Sequence, residues 1–140
     1  TRVARTTRCG ATTAALVACL AGCATPGPAH CPPGQQAMVS ETLYFGTEMG
    51  NDTISAAHWQ AFLNQTVTPR FPQGLSVGPA SGQWKSNAGP IVREASYVLN
   101  IVHAGAAEAD AALGEIVRAY KTAFRQEAVL RVRGAACVSF

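Results

Sequence analysis

Three polar side chains on predicted strands have the chemistry to bind a ligand or transfer a proton: Tyr44, Glu94 and Arg131. A carboxylate accepts hydrogen bonds, a guanidinium donates them, and a phenol can do both. If these groups share one face of a sheet, the Glu and the Arg could hold a polar ligand, and the Tyr could add acid–base chemistry. The competing interpretation, which the sequence favours, is a structural salt bridge between neighbouring strands on a half-exposed face.

Other catalytic and metal-binding patterns are absent from the sequence. It contains no P-loop, dinucleotide-binding glycine motif, G-x-S-x-G elbow or H-E-x-x-H motif. His30, His58 and His103 lie far apart, at spacings that are not typical of metal ligands. We therefore predict no metal ion and no cofactor, and we assign no catalytic residue.

Residues 1–22 have the pattern of an export signal. Three arginines among the first eight residues precede an uncharged run, rich in Ala and Leu, that extends to Gly22. This run has the length of the apolar region of a signal peptide and is too short to span a membrane. It closes on Leu20-Ala21-Gly22-Cys23, which resembles the lipobox of bacterial lipoproteins.

The lipobox resemblance implies that Cys23 is the first residue of the mature protein and carries a lipid. In lipoproteins this thiol takes up a diacylglyceryl group, and two or more acyl chains hold a protein stably on a membrane. The next residue is Ala24 rather than an acidic residue that would indicate retention in the inner membrane. We therefore expect an exported, membrane-anchored protein on the periplasmic face of the outer membrane of a Gram-negative host. The alternative is an ordinary cleaved signal in which Cys23 is incidental.

The mature chain is predicted to consist of a tether and one domain. Residues 23–39 are rich in Pro and Gly, which favours an extended tether, and residues 40–140 are long enough for one domain. Cys31 and Cys137 are the two cysteines that remain once the signal and Cys23 are set aside. In an oxidising envelope they are expected to form one disulfide, with two free thiols as the alternative.

Net charge argues against a nucleic-acid partner. The chain has 11 basic and 8 acidic residues, which gives a formal charge of +3. The three arginines of the signal account for the whole excess, so the mature protein is predicted to be neutral. A neutral domain lacks the basic surface with which proteins bind polyanions.

Hydrophobic periodicity predicts elements in the order β-α-β-β-α-β. The predicted strands cover 41–46, 75–84, 91–103 and 128–133, with a loop at 46–52 after the first strand and a bulge at Gly78-Pro79 in the second. The predicted helices cover 55–67, with Ser55 as the N-cap, and 108–126. This order is typical of the ferredoxin-like fold, an α+β fold with a four-stranded antiparallel sheet and two helices on one face. The first and last strands are neighbours in that fold, which would bring Cys31 close to Cys137.

The same pattern predicts which side chains face the helices. Leu43 and Phe45 are expected on the covered face of the first strand, and Tyr44 on the open face. Glu94 and Arg131 could also point to the open face. In that case Glu94 could meet Arg131 or Tyr44 there.

Several short motifs resemble a known family. They are Thr68-Pro69-Arg70-Phe71-Pro72 followed by Gly74-Leu75, then Gly82-Gln83-Trp84, Val92-Arg93-Glu94 and Val129-Leu130-Arg131-Val132. Together they resemble the family built on the domain of unknown function 3574, which is found in small bacterial secreted proteins and lipoproteins. The resemblance covers most of residues 41–138. It implies an exported location and a fold, but no reaction.

Two hypotheses for function follow from this reading. The first is a non-catalytic envelope module that forms a homodimer, or docks another partner, through the open face of the sheet. The second is a small-molecule binder or enzyme with its site on the same face, formed by Tyr44, Glu94 and Arg131. A flat apolar face would favour the first hypothesis, and a pocket with convergent polar groups would favour the second. The sequence itself leans weakly towards the first.

Overall fold

The computed structural model describes residues 30–140. The predicted signal at 1–22, the predicted lipid site Cys23 and the tether up to residue 29 lie outside the described residues. In chain order the elements are β1 (Gln36–Gly46), β2 (Glu48–Met49), β3 (Asp52–Thr53), α1 (Ala56–Phe62) with a π-helical continuation (Leu63–Val67), β4 (Ser76–Lys85), β5 (Ile91–His103), α2 (Ala107–Phe124) and β6 (Leu130–Val138).

The four long strands form one antiparallel sheet in the order β4-β5-β1-β6. Leu43 and Phe45 of β1 are fully buried in one core with residues of both helices, so both helices cover the same face. The predicted ferredoxin-like α+β fold is confirmed. A short β2–β3 hairpin adds to it in a region that the sequence predicted as a loop.

Two strands are longer than the sequence predicted. β1 begins at Gln36, so residues 36–39, which we assigned to the tether, are part of the sheet. They pair with residues 135–138 of β6, a strand that we expected to end at Arg133. The extension of β6 runs through Gly134, Ala135 and Ala136, residue types with low strand propensity, and the sequence pattern therefore hides it.

The strand registers determine which side chains share a face. β4 keeps a single register with β5 from Ser76 to Lys85, without the bulge that we expected at Gly78-Pro79. Pro79 is tolerated because β4 is an edge strand, where a residue without an N–H need not break the ladder. All three registers are unbroken. Every even-numbered residue of the four long strands therefore lies on the open face, and every odd-numbered residue on the helix-covered face.

Aromatic packing holds the helices against the sheet. Phe45 of β1 meets Tyr120 of α2 edge to face, with ring centroids 4.7 Å apart. Trp59 of α1 stacks on Tyr97 of β5 at 4.4 Å. α1 begins at the predicted N-cap Ser55, whose side chain accepts a hydrogen bond from a backbone amide of the first turn. These contacts fix both helices over β1 and β5, and no element among residues 30–140 covers the other face of the sheet.

A disulfide joins the segment before β1 to the end of β6. Cys31 and Cys137 have their Cα atoms 5.4 Å apart and are separated by 106 residues in the sequence. Cys137 pairs with Ala37 in the β1–β6 register, so the bond lies at the end of the sheet where β1 begins. The predicted pairing is present, and the neighbouring positions of the first and last strands account for it.

Candidate functional site

The structure places two of the three predicted site residues on one face of the sheet and the third on the other. Tyr44 of β1 and Glu94 of β5 lie on the open face. Arg131 of β6 lies opposite Leu43, on the helix-covered face. The predicted site of Tyr44, Glu94 and Arg131 was therefore wrong in its third member. The alternation along β6 shows which of its residues share a face. It does not show which of the two faces the helices cover, and the prediction for Arg131 depended on that choice.

Arg131 is held by a buried carboxylate that the sequence analysis did not single out. Glu41 of β1 is fully buried, and Arg131 donates to both of its carboxylate oxygens at 2.8 and 2.7 Å. The same guanidinium donates to Asp110 of α2 at 2.6 Å, so the pair links the sheet to the helix. The hydrogen bonds and the positive charge of Arg131 hold the pKa of Glu41 below its usual range, against the opposing effect of burial. Glu41 lies on the same side of β1 as the buried Leu43 and Phe45. This alternation could have identified it as a buried carboxylate.

His103 lies beside this ion pair. The side chain is 8 % exposed, and its Nδ1 accepts a hydrogen bond from the Gly105 amide at 3.0 Å. Its Nε2 is 3.6 Å from a carboxylate oxygen of Glu41 and has no hydrogen-bond partner among residues 30–140. Because Nδ1 is an acceptor, the neutral ring carries its proton on Nε2, the nitrogen nearer to Glu41.

The open face carries a pocket at the end where β1 finishes and β6 starts. Its volume is about 320 Å³, at the lower end of the usual range for small-molecule sites. Small residues of β4 and β5 leave the space, and two aromatic side chains border it. The lining residues are Tyr44, Gly46, Ala80, Ser81, Gly82, Gln83, Trp84, Glu94, Ser96, Gln126, Ala128 and Leu130.

Glu94 is held in one orientation at the side of this pocket. Its Oε1 accepts a hydrogen bond from the Trp84 indole at 2.8 Å, and its Oε2 accepts one from the Glu48 amide at 2.8 Å. The carboxylate lies across Gly46, where an added Cβ would fall 2.7 Å from the Glu94 carboxyl carbon. Only glycine leaves room for this packing. The carboxylate is thus fixed by the protein and needs no ligand to orient it.

Tyr120 supports the site from the core. Its hydroxyl donates to the Gly46 carbonyl at 2.8 Å and so ties the end of β1 to α2. Burial raises the pKa of Tyr120 above its ordinary value of 10.0, and the negative charge of Glu94 raises it further. The phenol therefore stays protonated at physiological pH and keeps donating to β1.

The open face is almost free of charge. Its residues are Gln36, Met38, Ser40, Thr42, Tyr44 and Gly46 of β1, Ser76, Gly78, Ala80, Gly82 and Trp84 of β4, Val92, Glu94, Ser96, Val98, Asn100 and Val102 of β5, and Leu130, Val132, Gly134, Ala136 and Val138 of β6. Among these described residues only Glu94 carries a formal charge, whereas the helix-covered face carries Glu41, Lys85, Arg93, Arg131 and Arg133. Leu130 is 60 % exposed and Val132 is 49 % exposed, so the β1–β6 half of the open face presents apolar side chains to solvent.

The comparison with known families agrees with the motifs in the sequence. Residues 40–140 match the family described as "Protein of unknown function (DUF3574)". The chain belongs to this family. No curated protein matches the sequence of this DUF3574 protein.

Solved structures similar to this DUF3574 protein share its fold at low sequence identity. A phage SAM lyase in complex with S-methyl-5'-thioadenosine is 16 % identical, with a TM-score of 0.53, and the match covers 80 % of this chain and 95 % of that one. The apo state of phage SAM lyase gives the same identity and TM-score over 74 % and 90 %. CutA from Synechococcus elongatus PCC7942 is 12 % identical, with a TM-score of 0.53, over 75 % and 83 %. At these identities the similarity shows the fold alone.

Two features are absent from the part of this DUF3574 protein that the structure describes. Within residues 30–140, no three His, Cys, Asp or Glu side chains are grouped so that they could hold a metal ion. None of the helices in the same range is long and apolar enough to cross a membrane.

Proposed function

We propose that this chain is a lipid-anchored protein of the bacterial envelope whose domain is a non-catalytic module that associates with a second copy of itself. The observation that carries the proposal is the open face of the sheet, on which Glu94 is the single charged residue. The anchor rests on the lipobox-like residues ending at Cys23. An acyl mass on the Cys23 peptide, measured by mass spectrometry of envelope material, tests the anchor.

A partly apolar sheet face with a single charged residue is unusual as a surface left to water. Solvent-facing sides of antiparallel sheets normally carry polar residues that alternate with the buried ones. Here Leu130, Val132, Val102 and Tyr44 are each at least 40 % exposed on that side. Contiguous exposed apolar surface marks an interaction site, and depletion of charge is the compositional sign of an interface core.

A second copy of the chain fits this face in size and in charge. Four strands spaced about 4.8 Å apart, each about nine residues long at roughly 3.3 Å per residue, form a face of roughly 20 by 30 Å. Covering it would bury on the order of 600 Å² of each chain in projection, close to the roughly 800 Å² per partner of a standard interface. Two faces that each carry only the charge of Glu94 can meet with little like-charge repulsion, as in sandwiches of two sheets.

Val132→Lys is expected to weaken self-association at least about tenfold, because each copy would bring an unpaired ammonium into the interface. Val132 is 49 % exposed on an edge strand, so the substitution should leave the fold of the single chain intact. Sedimentation velocity of the full chain in detergent, over a range of concentrations, measures the effect.

Ile91→Lys is the matched control for this experiment. Ile91 is 53 % exposed, but it lies on the helix-covered side of β5, away from the proposed interface. The control should associate like the natural chain. A natural chain that stays monomeric at every concentration, or an equal loss in both variants, would contradict the proposal.

Small-molecule binding is the second candidate function, and the pocket beside Glu94 is the observation that favours it. Polar groups converge there as the second hypothesis requires, with Tyr44 and Glu94 in place but without Arg131. The phage SAM lyase binds S-methyl-5'-thioadenosine, so a protein of this fold can hold a small molecule. The pocket lies on the same open face and shares Tyr44 and Leu130 with its exposed apolar residues, so a second copy that covers this face would also cover the pocket.

A further inference from the structure

We propose that the pocket beside Glu94 binds a small organic cation with a flat apolar body. This inference rests on the second candidate function and names the chemical class of its ligand. Every group that carries it belongs to a single chain.

The charge of the pocket determines which ligands it can accept. Glu94 is negative. Among the described residues that line this pocket, none is a Lys or an Arg. A phosphate or carboxylate ligand would find no positive side chain there and would meet the Glu94 carboxylate. A cation would instead form a charge-assisted hydrogen bond, which is stronger than a neutral one.

Glu94 has unused capacity for such a bond. Each of its oxygens accepts one hydrogen bond from the protein, from Trp84 and from the Glu48 amide. A carboxylate can accept about four, so an acceptor position remains on each oxygen. Because the two existing bonds and the packing on Gly46 fix the carboxylate, a ligand binds it without first ordering a side chain.

The rest of the pocket suits a flat apolar body. Ala80 and Gly82 of β4 have little or no side chain, and a Cβ added at Gly82 would meet only the Ser96 hydroxyl, at 3.8 Å. Trp84 and Tyr44 border the space on different strands. Aromatic side chains favour flat rings and cations, so both parts of the proposed ligand have a partner.

A purely structural role for Glu94 is the competing explanation. In that case the carboxylate serves to tie Trp84 and the segment at Glu48 together, and the pocket stays without a ligand. Three probes of the same shape separate the two explanations: benzamidine, which is cationic, benzamide, which is neutral, and benzoate, which is anionic. Isothermal titration calorimetry of the full chain measures the affinity for each.

Benzamidine is expected to bind at least about tenfold more tightly than benzamide, and benzoate is expected not to bind. Glu94→Gln should remove the preference for benzamidine, because the amide keeps the shape of the side chain without its charge. Gly82→Val should abolish binding, because its side chain fills the pocket while Glu94 and its partners stay in place. Gly78→Val is the matched control, since it lies on the same strand and face with no atom within 4 Å of its added Cβ.

Each remaining outcome counts against a defined part of the proposal. No binding of any probe at its solubility limit would overturn the pocket as a small-molecule site. Equal binding of all three, lost in Gly82→Val, would keep the site and overturn the cationic class. Loss of binding in Gly78→Val to the same extent as in Gly82→Val would place the ligand elsewhere. A circular dichroism melt of each variant verifies that it is folded.

Discussion

Replacing Cys31 and Cys137 together by serine is expected to lower the free energy of unfolding by roughly 4–5 kcal/mol. The disulfide closes a loop of 106 residues, and in the chain-entropy account its main effect is to restrict the unfolded chain. The loss is a large fraction of the stability of an ordinary domain, so the variant should be partly unfolded at 37 °C. Urea denaturation at 25 °C, followed by tryptophan fluorescence, measures the change.

Reduction of the natural chain provides the control for this prediction. With a reductant present, the natural chain should show the same denaturation midpoint as the double serine variant. A double serine variant that keeps the midpoint of the oxidised chain would contradict the entropic argument. Replacing both residues avoids leaving a lone thiol that could form a disulfide between chains.

Arg131→Met is expected to lower the free energy of unfolding by about 3–5 kcal/mol. The substitution keeps much of the apolar stem but leaves the fully buried Glu41 carboxylate without its two hydrogen bonds from the guanidinium. Arg133→Met is the matched control. Arg133 is 45 % exposed and its charge lies 3.6 Å from Glu41, so its removal should cost less than about 1 kcal/mol.

The pH dependence of the same variant tests the cause. In the natural chain Glu41 has a lowered pKa, so its stabilising effect is present above the ordinary value of 4.5 and is lost as the pH falls through the folded-state pKa. In Arg131→Met the buried carboxylate has lost its partner, and burial should raise its pKa. Protonation then relieves the cost, so the stability difference between the two proteins should narrow as the pH falls. A difference that stays constant from pH 7 to pH 4 would show that lost packing, and not the charge of Glu41, causes the destabilisation.

The order of the elements could be predicted because it depends on local patterns, and the disulfide could be predicted because only two cysteines remain once the signal and Cys23 are set aside. Alternation at Leu43 and Phe45 and the N-cap at Ser55 are signals contained within a few residues. The choice of face for β6 is not local. Leu130 and Val132 read as core residues and Arg131 as an exposed one, yet the buried charge of Glu41 on β1 draws the arginine to the covered side. That decision depends on a contact between residues 90 positions apart.

The candidate site, too, could be predicted from the sequence only in part. Tyr44 and Glu94 could be predicted to share a face only on condition that their strands present them to the same side, and the register meets that condition while placing Val98 opposite Tyr44. The contributions of Trp84, Gly46 and Gly82 could not, since they depend on the register of β4 against β5 and on space left by missing side chains. Glycines in a strand carry no hydrophobic signal, although here one admits the carboxylate and another leaves the pocket open.

The disulfide also determines how the domain would respond to a pull on its N-terminal segment. A force applied ahead of Cys31 reaches the covalent bond before it reaches the first ladder hydrogen bonds of β1. Cys31 and Cys137 then act as one point of attachment, and the tension divides between a central strand and its neighbour at the sheet edge. Neither strand can be peeled from the other at that end, so the domain would yield as a unit rather than unravel from its tethered end.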